Sequence, residues 1–89
     1  MPCVIETTRR FRASVKGREA EVARTLAEIQ SGFGNPHRHA GLSVRKLAPG
    51  VFECRTGLKL RLVFEARKGV LVFDFAGNHD EVQNYLRGR

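Results

Sequence analysis

The sequence predicts an α+β fold: two N-terminal helices packed on one face of a small, mainly antiparallel sheet, in the order β-α-α-β-β-β-α. Three observations predict it. Apolar residues recur with a helical period up to Ile29, and from Leu42 onward the period drops to two. The later apolar runs are joined by short turns, which suit antiparallel neighbours. A chain of 89 residues has room for one core, so helices and sheet must share it in a single domain over residues 1–89.

Each element has a local reason. Residues 2–6 are a short extended segment, with β-branched Val4 and Ile5. Thr7 or Thr8 can cap a first helix, whose inner stripe is Phe11 and Val15 and which Gly17 ends. The second helix opens with Glu19 and Glu21, which suit the positive end of the helix dipole. It places Val22, Leu26 and Ile29 on one side and stops at Gly32 and Gly34, before Pro36. Leu42 and Val44 then alternate with Ser43 and Arg45 up to a turn at Pro49-Gly50. Val51 to Arg55 is a strand that ends at the Thr56-Gly57 turn. Leu58 to Glu65 alternates most cleanly, with Leu58, Leu60, Leu62 and Phe64 on one face and Lys59, Arg61, Val63 and Glu65 on the other. Val70 to Ala76 follows, with Leu71, Phe73 and Phe75 expected on the core face. Asn78 or Asp80 can cap a terminal helix from His79 to Leu86, with Val82 and Leu86 turned inward.

The composition excludes several classes. No apolar run reaches the length of a membrane-spanning helix, and the first residues lack the basic and apolar regions of a secretory signal. The expectation is a cytoplasmic protein with no membrane partner. Two cysteines, Cys3 and Cys54, are too few for a disulfide scaffold and read as reduced thiols, Cys54 in the core. The His37-Arg38-His39 stretch, with His79 as a third ligand, is the one zinc candidate. No carboxylate or cysteine stands at ligand spacing nearby, and Pro36 and Gly41 mark a loop, so no metal or cofactor is expected. Net charge is +7, and arginine supplies twelve of the sixteen cations. Its planar fork fits phosphate bidentately, which points to a polyanion as partner.

Helices on one side of the sheet leave the other side for function. If Phe52 and Cys54 point inward, Glu53 and Arg55 point out, beside Lys59 and Arg61, with Asp74 on the last strand and His79 and Tyr85 at one rim. Such a face can serve phosphodiester chemistry. Attack by a ribose 2′-OH needs a base, cations for the developing phosphorane charge and an acid for the leaving 5′-oxygen. Glu53 is the candidate base. Arg55 and Arg61 are the candidate cations, and His79 is the candidate acid, since imidazole ordinarily exchanges its proton near neutrality. Tyr85 can stack on a base or donate a hydrogen bond.

Three stretches carry a family resemblance: Val44 to Arg55, with Lys46-Leu47, Gly50-Val51-Phe52-Glu53 and Arg55; Leu60-Arg61-Leu62-Val63-Phe64; and Gly77-Asn78-His79-Asp80-Glu81. In this order and spacing they resemble the RelE/ParE superfamily of bacterial toxins, nearest its RelE-like mRNA interferase branch. The resemblance implies a toxin of a type II toxin–antitoxin pair that cuts mRNA on the ribosome without a metal, with an acidic antitoxin, the ribosome and mRNA as partners. It implies that Arg61 contacts phosphate, that Arg55 lies on the active face, that His79 stands near the family's acid, and that Tyr85 matches a C-terminal tyrosine. Lys59, Arg45 and Lys46 are the accompanying RNA-binding cations. The sequence departs from RelE at Glu53, where RelE has lysine, and at Leu60, where an aromatic is usual. The alternatives are a non-catalytic binding module of the same fold and a ParE-like gyrase inhibitor.

Overall fold

The computed structural model describes residues 4–32, 43–57 and 59–88. Cys3, His37, Arg38, His39, Leu42 and Leu58 lie outside the described residues, and with them the zinc candidate, the start of the first alternating stretch and the start of the next strand. The elements are β1 (Val4–Thr7), α1 (Arg9–Ser14), α2 (Glu19–Gly32), β2 (Arg45–Ala48), β3 (Val51–Thr56), β4 (Leu60–Arg67), β5 (Val70–Gly77) and α3 (His79–Arg87). The sheet order is β1-β5-β4-β3-β2, antiparallel except for β1, which runs parallel to β5. This is the expected α+β arrangement with one strand more than the order β-α-α-β-β-β-α allows. The short alternating segment before Pro49 pairs with β3 as an edge strand, β2.

The caps work as their side chains dictate. Thr8 caps α1: its Oγ1 accepts from the Phe11 N–H at 3.1 Å and donates to the Asp74 carbonyl at 3.3 Å, fixing the helix start against β5. At the other end, Ser14 Oγ accepts from the Ala76 N–H at 3.0 Å. Thr25 and Thr56 share a buried 2.8 Å hydrogen bond that ties α2 to β3. The turns between strands need left-handed backbone at Gly50 (φ 76°) and Gly69 (φ 75°), which glycine adopts without a Cβ penalty.

The main core lies between the two N-terminal helices and the sheet. Phe11, Val15, Val22 and Ile29 pack on Cys54, Leu60, Leu62, Phe64, Leu71 and Phe73. Phe64 and Phe73 stack at 4.7 Å, and Phe11 meets Phe73 edge-on at 5.5 Å.

Two expectations about the opposite face need correction. It is not left bare: α3 folds across it, and Val82, Tyr85 and Leu86 pack on Leu47, Val51, Val63 and Phe75. Phe75 accordingly belongs to this face, while Ala76 joins the helix-side core. The cause is a register shift between β4 and β5, where Val63 pairs with Phe75 but Phe64 pairs with Phe73. One extra residue, Asp74, reverses the alternation beyond it. Among the described residues no helix is long and apolar enough to cross a membrane.

Candidate active site

The part of the open face that α3 leaves uncovered is centred on Glu53. In β3 this residue lies opposite Arg45 of β2 and two residues from the Arg55–Arg61 cross-strand pair with β4. Its Oε2 accepts from Arg61 Nη1 at 2.9 Å, and Arg45 Nη2 lies 3.3 Å from the same oxygen. Glu53 is thereby only 3% exposed, and the Arg61 side chain 17%. The outward glutamate of the sequence reading is instead roofed by its two arginines. A buried carboxylate needs such partners, since an isolated ionised one is very costly to desolvate.

Charge at this site is unbalanced. Arg45 and Arg61 pair with one carboxylate, and Arg55 adds a third guanidinium two residues along β3. Arg55 is exposed and stands directly across from Arg61. Like charges directly opposite one another on a sheet are destabilising. An anion between the two guanidiniums would relieve that repulsion, and both offer planar donors that fit a phosphate.

His79 reaches the site through the geometry of its helix. Asn78 caps α3 with a reciprocal pair of bonds: its Oδ1 accepts from the Glu81 N–H, and its own N–H donates to Glu81 Oε1, both at 2.8 Å. A Cβ on Gly77 would stand 2.9 Å from Glu81 Cβ and 3.1 Å from the Phe75 ring, so only glycine lets this first turn sit so close to β5. His79 is the first residue of α3 and shares a cleft of about 230 Å³ with Lys59, Arg61 and Asn78.

The structure thus gathers Arg45, Glu53, Arg55, Lys59, Arg61 and His79 at one end of the open face. Two expected residues stand elsewhere. Lys46 pairs with Phe52, whose ring is on the helix side, so it faces away from Arg45 and Arg61. Tyr85 is six residues along α3 from His79, about 9 Å at 1.5 Å per residue. Its ring stacks on Phe75 at 4.8 Å and its hydroxyl donates to Asp74 at 2.5 Å, with the Arg10 guanidinium 5.7 Å from the ring centre. Tyr85 anchors α3 instead of lining the rim beside His79. The sequence marks Asp74 as an outward residue but not as this anchor, because its placement depends on the bulge.

Cys54 is fully buried on the helix side, as expected. Burial, and secondarily the neighbouring Glu53 charge, pushes its thiol up to about 12, so it offers no nucleophile at neutral pH. Among the described residues no group of three metal-ligating side chains converges.

Five strands with this mixed pairing, two helices on one face and a capped helix across the other define the RelE-like toxin fold. No family model matches the chain, and no curated protein is detectably similar to it in sequence. The likeness to solved structures is clear. A copper-bound variant of a toxin from Helicobacter pylori superposes with a TM-score of 0.71 at 11% identity, over 90% of this chain and 98% of that one. The Escherichia coli DinJ–YafQ toxin–antitoxin complex gives 0.70 at 13% identity, over 92% and 98%. The RelB–RelE antitoxin–toxin complex from Methanococcus jannaschii gives 0.63 at 13%, over 90% and 96%. At such identities the shared feature is the fold.

Proposed function

We propose that this protein is the toxin of a type II toxin–antitoxin pair and a ribosome-dependent endoribonuclease that cleaves mRNA by metal-independent 2′-OH attack. The observation that carries the reading is the Arg45–Glu53–Arg61 array, with Arg55 opposite Arg61 and His79 in the adjoining cleft. The scissile phosphate sits against Arg61 and Arg55, whose charges stabilise the phosphorane more than the ground state. The 2′-oxygen bonds to phosphorus and loses its proton to water. The bond to the 5′-oxygen breaks as His79 supplies that oxygen with a proton, leaving a 2′,3′-cyclic phosphate and a 5′-hydroxyl. Glu53, buried, accepting from Arg61 and ion-paired with Arg45, serves as the residue that positions Arg61.

The solved neighbours crystallised with antitoxins support an antitoxin partner here, and the +7 charge suits an acidic one. The cytoplasm, where ribosomes work, is the matching location. Controlled expression in a bacterial host tests the reading. Wild-type protein should arrest growth and translation and create new transcript 5′ ends, while Arg61→Ala should restore growth with the protein still folded. Continued protein synthesis at high expression would overturn the proposal. Arrest with intact transcripts and DNA-damage signalling would indicate gyrase inhibition instead.

A further inference from the structure

We propose a second phosphate-binding stretch, a groove that leads from Arg61 across Lys59 to Lys16 and Arg18 and holds the RNA backbone beside the cleaved bond. The inference rests on the ribonuclease reading above and names where the rest of the strand lies. Three clefts carry it. The Arg61–His79 cleft includes Lys59. Lys59 also lines a cleft of about 410 Å³ with Ser14, Lys16, Arg18 and Asn78. It lines a third, of about 310 Å³, with Arg18, Glu21 and Thr56. Lys59 is common to all three, so they form one path around the end of the sheet.

The far end of this path is a fixed turn. Lys16 and Arg18 flank Gly17, whose positive φ of 89° reverses the chain between α1 and α2. The Gly17 N–H donates to Glu19 Oε1 at 2.9 Å, and the Arg18 N–H donates to the Val15 carbonyl at 2.9 Å. Both cations are therefore presented from an ordered backbone, which lowers the entropy lost on binding. Lys16, Arg18 and Lys59 are exposed, and none has an ion-pair partner among the described residues. Three acids stand nearby, and two of them are fixed on backbone donors, Glu19 on the Gly17 N–H and Glu81 on the Asn78 N–H, while Glu21 lies beside Arg18. The three cations have no such tether among the described residues and can turn toward a ligand.

The lining favours nucleic acid over a protein partner. A docked peptide needs apolar or aromatic anchors at the centre of its site. Here Leu60 and Ala76 are buried at 6% and 4% exposure and Phe75 is taken up by its stack on Tyr85, so the exposed side chains of the larger cleft are Lys16, Arg18, Lys59, Asn78 and Glu81. A row of separate cations along a groove is the arrangement that tracks a single-stranded phosphate backbone.

The test is fluorescence anisotropy with 2′-O-methyl RNA, which cannot be cut, as a trimer and as a 12-mer. For single strands the salt slope is about −0.7 for each phosphate neutralised. Lys16→Gln/Arg18→Gln should flatten the 12-mer slope by about 1.4 and weaken its binding at 50 mM salt. Trimer binding should hold. Arg9→Gln/Arg24→Gln removes the same charge from helix positions outside the groove and should leave the 12-mer slope unchanged. Equal loss from both double variants would overturn the groove, as would no loss from the first, no 12-mer binding by wild type, or loss seen only with an acidic peptide probe. Arg61→Gln separates the two readings. If it weakens the trimer while Lys16→Gln/Arg18→Gln leaves the 12-mer alone, the groove fails and the active site stands. If it leaves the trimer unaffected, the active-site reading itself fails.

Discussion

On the helix-covered face of the sheet, Phe11, Phe64 and Phe73 make a continuous aromatic core with no buried charge among them. On the opposite face, a smaller apolar patch under α3 shares the same strands with Glu53 and its arginines. Neighbouring residues divide sharply between the two: Val63 is under α3 and Phe64 in the main core, each nearly inaccessible. The first face is built for stability. The second gives up apolar area to hold cations close together, an arrangement that costs stability unless an anion is bound. That contrast is what singles out the open face as the candidate site.

Substitutions can break the contrast, from large effects to small. Phe64→Ala should cost about 3–5 kcal/mol, the range for emptying a buried aromatic site, and shift the denaturant midpoint far down. A cost near 1 kcal/mol would mean that the main core is not where the stability lies. Glu53→Ala should cost less, about 1–3 kcal/mol, because the arginines it leaves behind can still reach water. It should also destroy activity through loss of Arg61 placement, and Glu53→Gln, which keeps an acceptor oxygen, should recover part of both. Were Glu53 the base, Glu53→Gln would be as inactive as Glu53→Ala, so activity and unfolding curves of the pair decide its role. Asn78→Ala removes the α3 cap and should cost about 1 kcal/mol, with activity falling more than stability because His79 loses its fixed place. Arg67→Ala, which breaks an exposed pair with Glu65 at 2.8 Å, should leave the thermal midpoint within error.

The helix-covered face was the more legible of the two from sequence. Its helical stripe of Phe11, Val15, Val22 and Ile29 and its strand residues Cys54, Leu62, Phe64 and Phe73 follow local periodicity, and they pack as that periodicity predicts. On the open face, local signals were overridden. Leu71, Phe73 and Phe75 read as one alternating series, but the Asp74 bulge is set by pairing with β4 and turns Phe75 over. Tyr85 follows the bulge, since its partners Phe75 and Asp74 flank it. Lys46 fell on the wrong side because adjacent strand residues point to opposite faces, so Arg45 and Lys46 could not both join the site. The burial of Glu53 depends on the strand registers on both sides of β3, which bring in Arg45 and Arg61, each eight residues away, although the alternation of Glu53, Arg55 and Arg61 on outward positions was readable. Lys16 and Arg18 carried no sequence signal, because only the packing of the helical pair brings them beside Lys59.

The central claim is that Arg61, held by Glu53, and His79 act on a ribosome-bound phosphodiester. Purified protein added to ribosomes programmed with a defined mRNA measures this directly, with cleavage mapped by primer extension. The prediction is a cut in the A-site codon that requires ribosomes, persists in chelator, disappears with a single 2′-deoxy substitution at the cut position, and is lost in Arg61→Ala. Cleavage that survives the 2′-deoxy substitution, or that Arg61→Ala performs at the wild-type rate, would contradict the account.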